Sequence, residues 1–166
     1  MMSWSDSLNV LFGLNFDSSR SQRSVHFENG IAALREGLGE EATASFLIAL
    51  EQGDGRAGYA LGLAALGGGS TCATFRKAAS YFQRAAWAGV PEACFELGKL
   101  MEGGLGVQKN RRNAFRYFLR AALLGHVDSH YEVARHYQEG IGVKRDVLVA
   151  RMWRGRGNEL VRGLLN

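Results

Sequence analysis

The sequence predicts an all-α chain of stacked helix–turn–helix units, on three observations. The first is a fixed period of 36 residues. It spaces Ala78, Ala114 and Ala150, then Tyr81, Tyr117 and Trp153, then Gly53, Gly89 and Gly125. Gly106–Val107 recurs as Gly142–Val143, and Leu61–Gly62 recurs as Leu97–Gly98 and then as Val133–Ala134. The second is helical spacing of apolar residues on both sides of a glycine-rich break in each period. The third is a capping residue in one register, Thr74, Asn110 and Asp146. A period of this length marks an array in which each unit buries its apolar face on its neighbours.

The elements follow in chain order. Residues 1–20 form an N-terminal segment in which Trp4, Leu8, Leu11 and Phe12 fall at i, i+4, i+7 and i+8. A short amphipathic helix there either docks on the first unit or serves as a secondary partner-binding segment. Residues 21–54 read as a degenerate repeat or cap. Ala42, Phe46, Ala49 and Gly53 match a second helix, and residues 24–37 are helical in pattern but out of the 36-residue register. Three full units follow at 55–89, 91–125 and 127–157, and residues 158–166 read as a C-terminal capping extension that seals the stack.

The unit at 91–125 is the clearest. Pro91 suits a first helical position, where its missing N–H costs nothing. Ala93, Leu97, Leu100 and Met101 then recur at helical spacing, and Gly98 permits close approach. The stretch from Glu102 to Asn110 breaks the helix, and Asn110 caps the next. Ala114, Tyr117, Phe118, Ala121 and Ala122 make the apolar face of that second helix, which Gly125 closes. The unit before it lacks the Gly-x-Gly-Val wording and reads Gly67-Gly68-Gly69-Ser70-Thr71-Cys72 at its turn. The last helix lacks a closing glycine at Val161 and runs on.

Bulk properties agree. Glycine is 22 of 166 residues, and turn and helix-end glycines in each unit account for the excess. An apolar content of 46% and a single proline exclude a disordered low-complexity chain. The net charge of +4 is unevenly placed. Residues 1–54 hold three arginines and eight carboxylates, and residues 55–166 hold seventeen cations and eight carboxylates. The two cysteines, Cys72 and Cys94, form no C-x-x-C and read as reduced thiols. No apolar run is long enough for a membrane span. Asp6, Asn9, Asn15 and Asp17 argue against a secretory signal, which leaves the cytoplasm as the expected location.

The pattern A-x-x-x-L-G-x-x-M/Y-x-x-G-x-G-V followed by A-x-x-Y/W-F-x-x-A-A-x-x-G resembles the Sel-1-like repeat, a relative of the tetratricopeptide repeat. Residues Ala93, Leu97, Gly98, Met101, Gly104, Gly106 and Val107 carry it, with Ala114, Tyr117, Phe118, Ala121, Ala122 and Gly125. The resemblance covers about residues 40–157. It implies a right-handed α/α superhelical solenoid, TPR-like, and a protein–protein adaptor or scaffold, often in bacterial secretion or signalling. Cysteine-rich members bridge each unit with a disulfide, and this chain lacks those paired cysteines.

In the related tetratricopeptide architecture the first helix of each unit lines the concave face. Taking Leu61, Leu97 and Val133 as equivalent then sets three rows on it: Tyr59, Phe95 and Tyr131; Leu63, Lys99 and Arg135; and Arg56, Glu92 and Asp128. The rings either anchor a bound polypeptide or only pack between units. Lys99 and Arg135 can pair with carboxylates of a bound segment, which suits a partner with acidic and apolar residues. Self-association is open to a short array with apolar ends.

Other constellations carry less. Arg112, Arg116 and Arg120 follow helical spacing and read as a solvated basic face, with no interleaved aromatics for a specific nucleic-acid platform. A basic nucleic-acid-associated factor is the alternative reading, with an enzyme of unrecognised type ranked below it. His126, His130 and His136 read as surface histidines flanking a helix start, and no metal or other cofactor is expected. No phosphate loop, nucleophile elbow or acid–base pair is present, so no catalytic residue is assigned and the expectation is a non-enzyme.

Overall fold

The computed structural model describes residues 24–164. Among them are eight α-helices and no strand. We number the helices α1 (Val25–Arg35), α2 (Gly39–Glu51), α3 (Gly55–Gly67), α4 (Cys72–Trp87), α5 (Pro91–Gly103), α6 (Arg111–Leu123), α7 (Val127–Glu139) and α8 (Val147–Leu164). Two compact units divide the chain between Asp54 and Gly55. The segment bearing Trp4, Leu8, Leu11 and Phe12 lies outside the described residues.

The first unit is the α1/α2 pair. A side chain built on Gly30 would put its Cβ 2.7 Å from Cδ1 of Phe46, so the ring lies flat on helix backbone. Phe27 supports the same ring at 5.5 Å between centroids. The second unit uses the same device twice, with Phe82 lying on Gly62 and Phe118 on Gly98. The glycine precedes its ring by 20 residues in those pairs and by 16 in the first unit. One helical turn is missing between α1 and α2, and that loss hides the first unit from the 36-residue register.

The second unit is a helical-repeat solenoid of three pairs, α3/α4, α5/α6 and α7/α8, in which α4 packs on α5 and α6 on α7. Its core runs without interruption through the pairs. Ala78, Ala79, Phe82, Ala85 and Ala86 of α4 share one buried cluster with Ala93, Cys94, Leu97 and Leu100 of α5. Ala114, Phe115, Phe118 and Ala122 of α6 share another with Val133 and Ala134 of α7 and Trp153 of α8. Phe82 and Phe118 are each wholly buried, which stabilises by about 1.5–3 kcal/mol per side chain on the transfer scale.

The Gly-x-Gly-Val turns join neighbouring pairs. Gly106 has φ +68°, and a Cβ there would meet the backbone of Phe75 and Arg76 at the start of α4. Gly142 repeats this on Arg111 and Arg112 at the start of α6, with the Arg112 nitrogen 2.8 Å from the Cβ position. The second glycine of the motif is thus a contact between pairs, where only a hydrogen fits.

The caps follow the expected register in two of three cases. Asn110 accepts a hydrogen bond from the Asn113 N–H at 2.9 Å, and Asp146 accepts from the Leu148 and Val149 N–H groups, both at 3.0 Å. Thr74 is not the cap of α4. The cap is Thr71, whose hydroxyl accepts from the Thr74 N–H while the Thr74 hydroxyl accepts from the Thr71 N–H. The turn at 68–71 is four residues, against seven at 104–110, so α4 starts three residues early and Thr74 falls at its third position.

Candidate functional site

The first helices α3, α5 and α7 carry the three predicted rows. Each ring of the aromatic row is half-buried, and each touches the second helix of its own pair. Tyr59 lies 5.9 Å from Phe82 and Phe95 lies 5.7 Å from Phe118, centroid to centroid. The Tyr131 hydroxyl donates to Asn158 Oδ1 at 3.0 Å, and the Tyr131 ring sits over Gly157. The rings also reach the next pair. Phe95 stacks on His126 at 4.6 Å, and the Tyr59 hydroxyl is pushed above its ordinary pKa by burial, with the charges of Glu96 and Glu92 adding to it. The row is therefore held by packing while each ring stays partly exposed.

The cations of the second row are not free. Lys99 Nζ lies 2.8 Å from Glu96 and 5.3 Å over the Phe95 ring. Arg135 donates to Glu102 at 2.7 Å and to Glu132 at 2.7 Å, so its guanidinium ties α7 to the first helix of the preceding pair. Leu63 is exposed, Glu92 and Asp128 are exposed, and Arg56 is half-buried. Both cations of the row thus already hold carboxylates of their own array. Helices α3, α5 and α7 together hold six carboxylates and three cations. Helices α4, α6 and α8 hold eleven cations and one carboxylate. Charge thus separates by helix: α5 and α7 are acidic, α3 carries Arg56 alone, and α4, α6 and α8 are basic.

Two of the three histidines are not at the surface. His130 and His136 are buried, because α7 packs between α6 and α8. His136 contacts the Phe115 and Phe118 rings at 5.8 and 5.3 Å, and its Nδ1 lies 2.7 Å from the Ile141 carbonyl. His126 caps α7, its Nδ1 accepting from the Ser129 N–H at 3.3 Å, and burial lowers its pKa. Glu102, Glu132 and His136 bring ligand-type atoms within 4.8 Å of one another. The Arg135 guanidinium lies among them and supplies the counter-charge, 2.7 Å from both carboxylates and 3.4 Å from His136 Nε2. Sequence spacing missed this cluster because Glu102 and Arg135 are 33 residues apart.

The basic stripe also needs one correction. Arg112 and Arg116 are exposed, but Arg120 is only 8% exposed, and its Nε and Nη2 have no hydrogen-bond partner among the described residues. Its charge acts on the Cys94 and Tyr117 side chains. Cys94 is buried, and burial pushes its thiol up to about 11. Cys72 opens α4 and is exposed. No described helix is long and apolar enough to cross a membrane.

The model of the Sel1 repeat family matches residues 57–89, 91–126 and 127–153. Among solved structures, the protective antigen c5321 of uropathogenic Escherichia coli, which displays an SLR fold, is similar at 29% identity with a TM-score of 0.73. The match covers 81% of this chain and 30% of that one. A Sel1 repeat protein from Oxalobacter formigenes is similar in fold at 24% identity and a TM-score of 0.67, covering 81% and 55% of the two chains. Cysteine rich protein B of Helicobacter pylori shares the fold at 22% identity and a TM-score of 0.52, covering 67% and 87%. The chain thus spans about a third to a half of the length of the first two. No curated protein matches it closely enough to be called a relative.

Proposed function

The chain belongs to the Sel1 repeat family, whose members generally serve protein–protein interaction, and on that premise we propose that it is an adaptor holding a polypeptide on the first-helix face. The carrying observation is the row of Tyr59, Phe95 and Tyr131, three rings packed on the second helices and partly exposed. Rings fixed before binding lose little entropy on contact, which is why aromatic residues dominate interface energetics. Exposed Leu63 extends the apolar surface. Six carboxylates against three cations on these helices favour a segment bearing apolar and basic residues. Two cysteines outside any disulfide suit a reducing compartment, and we place the protein in the cytoplasm on that ground.

The test is capture of a partner from the native cell, its identification by mass spectrometry, and titration of that partner against variants. Triple replacement of Tyr59, Phe95 and Tyr131 by Ala should weaken binding at least tenfold while helical circular dichroism persists. Leu63→Arg and Glu92→Lys, both at exposed sites, keep the test open where the triple variant unfolds. Full binding by folded Leu63→Arg and Glu92→Lys chains would refute this face.

A second reading rests on the eleven cations of the second helices. They suit a polyanion such as nucleic acid held without sequence preference. Binding of a duplex that falls steeply between low and moderate salt would support it, and no binding at low salt would remove it.

A further inference from the structure

The third pair does not present the same surface as the two before it. On α4, the stripe Phe75, Ala78, Ala79, Phe82 and Ala86 is where α5 packs. On α6, the stripe Arg111, Ala114, Phe115, Phe118 and Ala122 is where α7 packs, with Phe115 and Phe118 touching His136. The same positions on α8 are Val147, Ala150, Arg151, Arg154 and Asn158. Two apolar residues have become arginine, and one alanine has become asparagine.

The change reaches inside the pair. Phe82 and Phe118 lie on glycines, but Arg154 follows Ala134, whose Cβ fills the space the ring would need. Arg154 turns out instead, and its Nη2 donates to Gln138 Oε1 at 2.8 Å. The space left is an open cleft of about 290 Å³ lined by Gln138, Arg145, Val147, Ala150, Arg151 and Arg154. Arg145 lines the cleft and its Nε donates to the Gln138 carbonyl at 2.9 Å. Among the described residues Arg151 has no hydrogen bond or ion pair. Leu148 and Met152, 74% and 47% exposed, stand on the next stripe of α8 where α6 has Arg112 and Arg116.

We propose that this cleft and the α8 stripe around it form a second docking site, which takes an amphipathic helix bearing carboxylates from another protein. The equivalent stripes on α4 and α6 each receive a helix, so the shape suits one. Three guanidiniums around an apolar floor exclude another apolar Sel1 helix and select carboxylates, because a buried uncompensated cation costs more than an apolar mismatch. Leu148 and Met152 meet the apolar stripe of the incoming helix. The site lies on the second helix of its pair, meets the ring row only where Asn158 accepts from the Tyr131 hydroxyl, and is opposite in charge to the first-helix face.

The test uses the full chain and a labelled helical peptide carrying Leu at i and i+4 and Glu at i+1, i+5 and i+8. Gln and Lys versions of the same peptide serve as controls. The Glu peptide should bind and the others should bind at least tenfold more weakly, since charge complementarity sets partner choice. Arg151→Glu with Arg154→Glu should reduce binding at least tenfold, whereas Arg112→Glu with Arg116→Glu, exposed on α6, should change it less than threefold. Leu63→Arg on the first-helix face should leave it unchanged, so failure here is separable from failure of the proposed adaptor face. Equal binding of the Glu and Gln peptides, or equal loss in the α6 and α8 double variants, would overturn the site. Displacement of the Glu peptide by duplex DNA at matched charge would assign the arginines to a polyanion instead. Concentration-dependent dimerisation lost in the α8 variant would assign them to a second copy.

Discussion

Replacing Gly106 by Ala isolates what holds one helix pair to the next. Gly106 has φ +68° and Gly125 has φ +91°, so alanine at either site sits in the left-handed region at a cost of about 1–2 kcal/mol. The gain from stiffening the unfolded chain, about 0.4–1 kcal/mol, is also common to both. The sites differ in space. A Cβ on Gly125 meets nothing within 4 Å, whereas one on Gly106 lies 2.7 Å from the Phe75 Cβ and closer still to the backbone of Phe75 and Arg76. Backbone at a helix start cannot rotate away as a side chain can, so the pairs must separate, at about 1–3 kcal/mol for overpacking. Gly106→Ala should therefore be less stable than Gly125→Ala by about 1–3 kcal/mol, or roughly 0.5–1.5 M in urea midpoint at a slope near 2 kcal/mol/M. Urea titrations followed by circular dichroism measure the difference. Because coupling in a repeat array runs between neighbours, hydrogen exchange in Gly106→Ala should also accelerate first in α3 and α4. Equal midpoints for the two variants would refute the reasoning.

The remaining predictions concern titration. Cys72 should react with Ellman's reagent within seconds at pH 8 and Cys94 only after denaturation, since Cys94 is buried with its thiol pushed up to about 11. Two fast thiols per chain would contradict this. A thiol raised in the fold makes the native state hold its proton longer, so this group's contribution to stability is full below pH 9 and is lost between 9 and 11. His126 works in the other direction. Its folded pKa is lowered by burial, so its contribution is full above its unfolded value near 6.5 and is lost as pH falls through the folded value. Protonation removes the Nδ1 acceptor that caps α7 at Ser129. His126→Asn keeps a cap that does not titrate, so it should lose less stability than wild type between pH 7.5 and 5. Parallel stability curves would exclude this role for His126.

The fold was legible because its constraints repeat. Turn glycines, helix-end glycines and small alanines recur where backbone meets backbone, and each recurrence is a separate vote for the same frame. The wedge residue was harder to read. Tyr81, Tyr117 and Trp153 recur in all three units and draw the eye, yet the rings lying on glycine are their neighbours Phe82 and Phe118, which the third unit replaces with Arg154. Cap position failed at Thr74 because spacing carries no information on turn length within a constant period. The site was legible as a row of positions and illegible as a charge. Helical spacing sets Arg135 on the first-helix face, but its pairing with Glu102 depends on which faces of α5 and α7 meet. Arg120 falls on an exposed stripe by spacing, yet only packing reveals that its flank is covered.

The departures of the third unit from the repeat are the most informative residues in the chain, since they occur together. Ala134 without Arg154 would clash with a phenylalanine ring, and Arg154 over a glycine would leave bare backbone under a charged chain. Neither residue is needed to bury α7 on α6, whose contacts with Phe115 and Phe118 are intact. Arg151 lies on the same stripe and stabilises nothing that the described residues show. A surface needed only for solubility would be met by any polar side chains of mixed sign. Three cations of one sign around an apolar floor instead repel one another, and that repulsion is relieved when a carboxylate enters. A mixed-sign surface would carry less of this repulsion, and a negatively charged helix would relieve it.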